Sequence, residues 1–194
     1  LGAEFRYLMP SWQGEAALEY LPNDQSDNRS RWLAALSHQH RFSPRLKGQI
    51  HFQRVSDDDY FRDLSNQINV TSRSILPQEG ALYYDGNWWQ AGLRVQQLQT
   101  LQDPRRPILQ TPYYRLPQLT LTAGREIAGG LLANLESEYS YFHHPDPTPL
   151  VQVGGGSRLM LYPSLKLPYS SKAFFVTPKI GYHYTRYRIE EPLA

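Results

Sequence analysis

Apolar and polar residues alternate with period two along most of this chain. From Leu46 the even positions read Leu46, Gly48, Ile50 and Phe52, while the odd ones read Lys47, Gln49, His51 and Gln53. Successive side chains of a strand point to opposite faces, so such a segment has one apolar face and one wet face. The pattern recurs. Leu131, Ala133, Leu135, Tyr139 and Tyr141 alternate with Asn134, Glu136, Glu138 and Ser140. Leu159, Leu161, Leu165 and Leu167 alternate with Arg158, Tyr162, Ser164 and Lys166. Near the start, Trp12, Ala16, Leu18 and Tyr20 alternate with Gln13, Glu15 and Glu19. No useful stretch carries apolar residues at i, i+3, i+4 and i+7, so helix is expected only as one short turn at 60–64.

Ten strands are expected, at 2–9, 12–21, 31–42, 46–56, 68–84, 88–100, 113–124, 129–142, 151–167 and 173–188. Most are ten residues or longer, against a mode of about 5–6 in globular proteins. About 9–11 residues is what a tilted strand needs to cross the hydrocarbon layer. The links give an independent pattern. Pro10-Ser11, Ser43–Arg45, Asp85–Asn87, Gly124–Ala128 and Tyr169–Lys172 are short, and they alternate with the longer, polar 22–30, 57–67, 101–112 and 143–150. Outer-membrane barrels have tight periplasmic turns and long outward loops. The fold class expected is therefore all-β: an antiparallel up-and-down transmembrane β-barrel segment, about ten strands of a larger barrel. Residues 1–194 then belong to one outer-membrane barrel domain, incomplete at both ends.

Composition removes the competitors. The longest apolar run, Ile127 to Leu135, holds two glycines and an asparagine and cannot cross a membrane as a helix. With 14 Tyr, 7 Phe and 4 Trp, the chain is too aromatic for a polar disordered one. No cysteine is present, which excludes disulfides and thiolate metal sites within this segment. A net charge of +2 gives nucleic acid no footprint. Tyr7, Trp12, Tyr20, Trp32, Phe42, Tyr84, Trp88, Trp89, Tyr113, Tyr114, Tyr141, Phe174 and Tyr187 lie toward strand ends, where two interfacial girdles are expected.

Four blocks in order carry a resemblance: Phe5–Leu8, Leu18–Asp24, Arg29–Leu33 and Val55–Asp63, the last reading V-S-D-x-x-Y-F-x-D. Over about residues 5–65 the chain resembles the LptD family of outer-membrane lipopolysaccharide-assembly proteins. The resemblance implies a wall segment of a very large barrel, preceded by a periplasmic jelly-roll domain and closed around a lipoprotein plug like LptE. Its implied partners are lipopolysaccharide, that plug, outer-membrane lipid, and the periplasmic Lpt bridge reached through the N-terminal domain. The implied location is the bacterial outer membrane, and the implied role is helping lipopolysaccharide reach the outer leaflet. The family's gate strands and disulfide cysteines fall outside the matching region. A passive outer-membrane porin and a soluble carbohydrate-binding β-sandwich are the alternatives. A porin would show clustered charges on a loop folded into the pore, which the sequence does not display.

On the wet register, Lys47, Arg73, Arg94, Glu136, Glu138, Arg158, Tyr162, Lys166 and Lys179 are expected to line the lumen. Arg54, Arg115, Arg186 and Arg188 fall on the apolar register beside long loops, where they could meet lipid phosphates at the outer rim. His38 and His40, or His143 and His144 with Asp146, supply too few ligands for a metal. Asp57–Asp59 lacks the glycine and terminal glutamate of a calcium loop and reads as an ordered outward loop. Gly154–Gly156 precedes a strand and reads as room for backbone. Pro77, Pro117, Pro163 and Pro178 mark expected bulges or kinks. No nucleophile–base–acid set is present, so neither catalysis nor a cofactor is expected.

Overall fold

The strands pair antiparallel in chain order, and the last segments fold back on the strand that ends at Lys166, giving one open meander. The computed structural model describes residues 1–24, 28–64, 74–105, 107–145 and 155–190. In order, β1 (Gly2–Leu8), β2 (Trp12–Asp24), β3 (Arg29–Arg41) and β4 (Leu46–Val55) precede a short helix α1 (Tyr60–Leu64). Then come β5 (Ile75–Asp85), β6 (Trp89–Thr100), β7 (Tyr114–Ala128), β8 (Leu131–His143) and β9 (Gly155–Lys166). The chain continues through β10 (Tyr169–Ser170), β11 (Phe175–Val176), β12 (Lys179–Gly181) and β13 (Tyr184–Ile189). Among the described residues the sheet is not closed. Its edges are β1 on one side and the β12–β13 strand on the other.

The pairing register shows why the alternation matters. Phe5 sits opposite Ala16, Ala16 opposite Leu36, and Leu36 opposite Phe52. The same face continues through Leu82–Leu93, Leu93–Leu119, Leu119–Tyr139 and Tyr139–Leu159. Phe5, Leu18, Ile50, Leu82, Leu93, Val95, Leu119, Leu121, Tyr139, Leu165 and Ile180 are all exposed, and all share this face. So large a continuous apolar surface in water would be an aggregation site; against lipid tails it is the required outer surface. In β8 the apolar register runs from Leu131 to Tyr141. That is about ten steps, or roughly 33 Å of strand; a tilt of ~40° converts this to roughly 25 Å, the height of an outer-membrane apolar band. No helix among the described residues is long and apolar enough to cross a membrane, so any crossing is by strands.

The expected tenth strand is real but interrupted. Ser170 pairs with Phe175, Leu165 with Ile180, Leu161 with Tyr184 and Gly156 with Ile189, all in one unbroken register. Thus β9 and β10 face β11, β12 and β13 as the two arms of one long hairpin, closed by Ser171 N–H donating to the Phe174 carbonyl at 2.8 Å. Pro163 and Pro178 only remove ladder donors there. Of the four strand prolines, Pro117 alone sits in a register shift, between Arg115 and Gln118. Gly155 and Gly156 do provide room, since a side chain at Gly156 would strike the Arg188 carbonyl across the ladder. The expected long link at 22–30 is instead tight. Strand β2 runs on to Asp24, β3 begins at Arg29, and Asn23 and Asn28 take positive φ of 57° and 52°. Asn tolerates that region better than most residues, which lets the strands extend.

The main buried cluster lies at one end of the wet face. Leu33, Val55, Tyr60, Phe61, Leu76 and Leu101 pack together where α1 covers β3 and β4. The ladder between β4 and β5 runs no further than Phe52–Gln78. Beyond it Gln99 of β6 reaches across, donating to the Val55 carbonyl at 2.9 Å and accepting from its N–H at 3.0 Å.

Candidate functional site

Three of the four sequence blocks, 18–24, 29–33 and 55–63, converge on one latch. Arg31 occupies the wet register, opposite Leu21 and two residues before Leu33, and its side chain is fully buried. Its fork grips Asp57 through Nη2 at 2.7 Å and Nε at 3.1 Å. The remaining nitrogen, Nη1, donates to Asp63 at 3.1 Å and to Asp24 at 3.2 Å. Asp57 also accepts from the Ser56 hydroxyl and, at 3.2 Å, from the Asp59 N–H, which turns the chain into α1. Ser56 in turn caps the Trp32 N–H at 3.1 Å. Tyr60 donates to Glu19 at 2.6 Å, and Phe61 packs edge-on against Tyr60. Every fixed position of V-S-D-x-x-Y-F-x-D therefore has a structural task, and Asp24, Glu19 and Arg31 from the earlier blocks receive it.

Burial shapes the loop's titration. It works against the Asp57 carboxylate, yet the Ser56 hydroxyl and the Arg31 guanidinium outweigh it and hold Asp57 below the usual carboxylate range. Asp58 lacks that guanidinium, and burial pushes it upward. Burial and the Glu19 carboxylate push the Tyr60 phenol well above its ordinary value. The loop does fold over the wet face. Asp58 apart, its charges are paired with Arg31 and with one another, Arg62 with Asp59 at 2.6 Å and with Asp63 at 3.0 Å. That is a closed ion-pair network against the wall, unlike an eyelet of free charges.

The described lumen candidates occupy one face by register. Lys47 lies opposite Tyr83 and pairs with Asp85 at 2.9 Å. Arg94 lies opposite Gln118, and Glu136 stands between Thr122 and Tyr162. Glu138 accepts from Arg158 and from Ser140, and Arg158 also sits over the Phe142 ring at 5.6 Å. Lys179 lies over the Tyr162 ring at 4.7 Å and faces Lys166 across the ladder. Arg73 lies outside the described residues. Among the rim candidates, Arg54 is opposite Ala34, Arg186 opposite Leu159 and Arg188 opposite Ser157, all in the apolar register. Arg115 differs. The bulge at Leu116–Pro117 sets it opposite Gln96 and Phe142, in the wet register, although its parity in the sequence is apolar. Tyr187, a girdle candidate, also faces inward, opposite Arg158.

Aromatics gather at the short-turn end of the apolar face. The Tyr7 hydroxyl meets His38 Nδ1, Tyr7 packs on Trp12 at 5.0 Å, and His40 stacks on Phe42 at 4.1 Å. His38 and His40 thus serve as rings of a girdle. His144 is buried beside Tyr113 and contacts the Thr111 carbonyl at 3.0 Å; Asp146 lies outside the described residues. Among the described residues no group of His, Asp or Glu could hold a metal ion.

Comparison with known proteins agrees with this architecture. The family model described as LPS transport system D, LptD, matches residues 29–194. The LPS-assembly protein LptD of Azoarcus sp. is 45% identical over 197 residues, covering 100% of this chain and 24% of that protein. Proteins of the same name from Thiobacillus denitrificans and Aromatoleum aromaticum are 42% and 41% identical, over 100% of this chain and 26% and 24% of their own lengths. The chain thus spans about a quarter of the length of these curated relatives. The likeness reaches well past the blocks at 5–65 that first suggested it, through the bulged β7 and the long terminal hairpin. With the family model matching most of its length, the chain belongs to the LptD family.

Proposed function

We propose that this chain is wall of an outer-membrane translocon that assembles lipopolysaccharide at the outer leaflet, as one piece of a larger barrel domain. One observation carries the reading. A sheet with a continuous exposed apolar face and a charged opposite face is matched end to end by proteins named for LPS assembly. The role is transport without chemistry: a wet, charged wall lets a sugar-phosphate headgroup pass while the apolar face holds the wall in lipid. Its partners are lipopolysaccharide, outer-membrane lipid, a lipoprotein plug inside the barrel, and the periplasmic bridge acting through the N-terminal domain. Lys47, Arg94, Glu136, Glu138, Arg158, Tyr162, Lys166 and Lys179 face the passage. Arg54, Arg186 and Arg188 face lipid headgroups at the outer rim.

The test is a photo-crosslinker at Tyr162 of the full-length protein in growing cells. Capture of lipopolysaccharide is expected there, with none at Leu161, the adjacent residue on the apolar face. Protein-only adducts at Tyr162 would sink the reading.

A further inference from the structure

The bulge in β7 does more than bend a strand. Across the wet face runs one row, Arg94–Gln118–Ser140–Arg158–Tyr187, each opposite the next on adjacent strands. The extra residue between Arg115 and Gln118 drops Arg115 beside this row, between Gln96 and Phe142. Three guanidinium groups therefore share a patch about 14 Å wide, three strand spacings at ~4.8 Å each. Counter-charge does not match them. Arg158 holds Glu138. Glu79, opposite Gln96 on the neighbouring strand, is taken by the Gln96 amide at 2.9 Å. Arg94 reaches only the Gln96 side-chain Oε1, at 3.3 Å, and Arg115 has no hydrogen-bond or ion-pair partner among the described residues. The Nε atoms of Arg94 and Arg158 are both buried with no acceptor.

A half-covered arginine without an anion, next to two others, is unfavourable unless something else supplies the charge. Buried donors left open in a native structure call for the same explanation. An oxyanion entering from the lumen answers both. Guanidinium forks match phosphate oxygens in pairs, which a carboxylate on a flexible side chain rarely does for two arginines at once. Beside the arginines stand Gln118, whose amide can exchange hydrogen bonds with hydroxyls, and the Phe142 ring.

We propose that Arg94 and Arg115, with Arg158 behind them, form a phosphate station on the inner wall. It seats a phosphate carried on a saccharide, with Gln118 meeting the neighbouring sugar hydroxyls. The proposal rests on the lipopolysaccharide reading above and adds a stopping point to it. The β-bulge is what builds the station, because an unbroken β7 would turn Arg115 to the lipid.

The experiment uses the full-length protein with its native partners and a photo-crosslinker at Gln118, the centre of the patch, or at Tyr162, off it. Wild-type protein receives either intact or phosphatase-treated lipopolysaccharide. Removing phosphate should lower capture at Gln118 about tenfold and leave Tyr162 unchanged. R94Q/R115Q should reproduce that loss with intact lipopolysaccharide, while R94K/R115K retains most of the capture. Inorganic phosphate at the concentration of the lipopolysaccharide should compete poorly; equal competition would mean a free-phosphate site and overturn the saccharide assignment. Equal capture of both lipopolysaccharide forms at Gln118, or no capture there, with Tyr162 still capturing, overturns the station alone. Silence at both positions overturns the lipopolysaccharide reading as well.

Discussion

Arg31→Ala is the sharpest test of the latch. The guanidinium is fully buried and its four hydrogen bonds end on three carboxylates, those of Asp57, Asp24 and Asp63. Removing one partner of a buried ion pair typically costs about 3–5 kcal/mol, because the remaining charge stays desolvated and unpaired. Here the orphaned carboxylates can escape by letting the loop swing into water, so the cost is expressed as opening of residues 56–64. At ~1.4 kcal/mol per factor of ten, the opening constant should rise about 140- to 4,000-fold. Amide hydrogen exchange of the full-length protein reads this directly at Asp63, whose N–H bonds the Asp59 carbonyl at 3.0 Å, and at Ser56, whose N–H bonds the Trp32 carbonyl at 2.9 Å. Ladder amides of β7 and β8 serve as internal reference and should not change. An R31A protein whose Asp63 and Ser56 amides exchange within threefold of wild type would refute the assignment of Arg31 as the hub. A neutralised network, R31M with D24N, D57N and D63N, should recover part of the protection, since no unpaired charge remains.

Asp57→Asn should loosen the loop more than Asp63→Asn, because Asp57 takes two of the guanidinium contacts as well as the Ser56 hydroxyl; limited proteolysis within 56–64 ranks the two. The depressed Asp57 pKa stabilises the closed loop at every pH above the ordinary carboxylate value of ~3.9, and that contribution disappears as the pH falls through the lower folded-state value. Protection at Asp63 should therefore persist from neutral pH to about 4 and fail below it; failure already at pH 6 would contradict the assignment. Gly156→Ala should destabilise the terminal hairpin by about 1–3 kcal/mol, because the added methyl meets the Arg188 backbone, and the assay is the heat-modifiability of the folded barrel on gels. Cysteines placed at Thr120 and Thr122 should react with a charged, membrane-impermeant thiol reagent, and those at Leu119 and Leu121 should not; the reverse pattern would invert the wall.

Much of this was legible because parity carries so much information in a strand. Leu46–Gln53 alternates in the sequence and does so in the sheet, and the short turn of helix at 60–64 stands where it was expected. Parity failed where one residue was inserted. Arg115 keeps an odd number like Leu119 but changes face, and no local pattern announces a bulge apart from Pro117 itself, while Pro77 and Pro163 sit in unshifted register. The latch was missed for a different reason: it joins residues 19, 24, 31, 57, 60 and 63, and the partners of a buried arginine cannot be read from spacing. A signal was present nevertheless. Leu33 and Val55 are apolar residues in the wet register, opposite one another at its loop end, and an apolar pair there has to be covered by something. The tight β2–β3 link was hidden because polar residues at 22–30 look alike as loop and as the extramembrane end of a strand.

The order of pairing has a kinetic meaning. From β1 to β9 each strand bonds only to its immediate predecessor and successor, and the last hairpin arm folds straight back on β9, so the sheet among the described residues has none of the distant closures that slow the folding of most β proteins. The latch obeys the same economy: all its polar members lie between Glu19 and Asp63, within three consecutive strands and the loop that follows them. A barrel assembled one hairpin at a time can therefore shut this part of its mouth as soon as β4 is in place, long before the terminal hairpin is laid down.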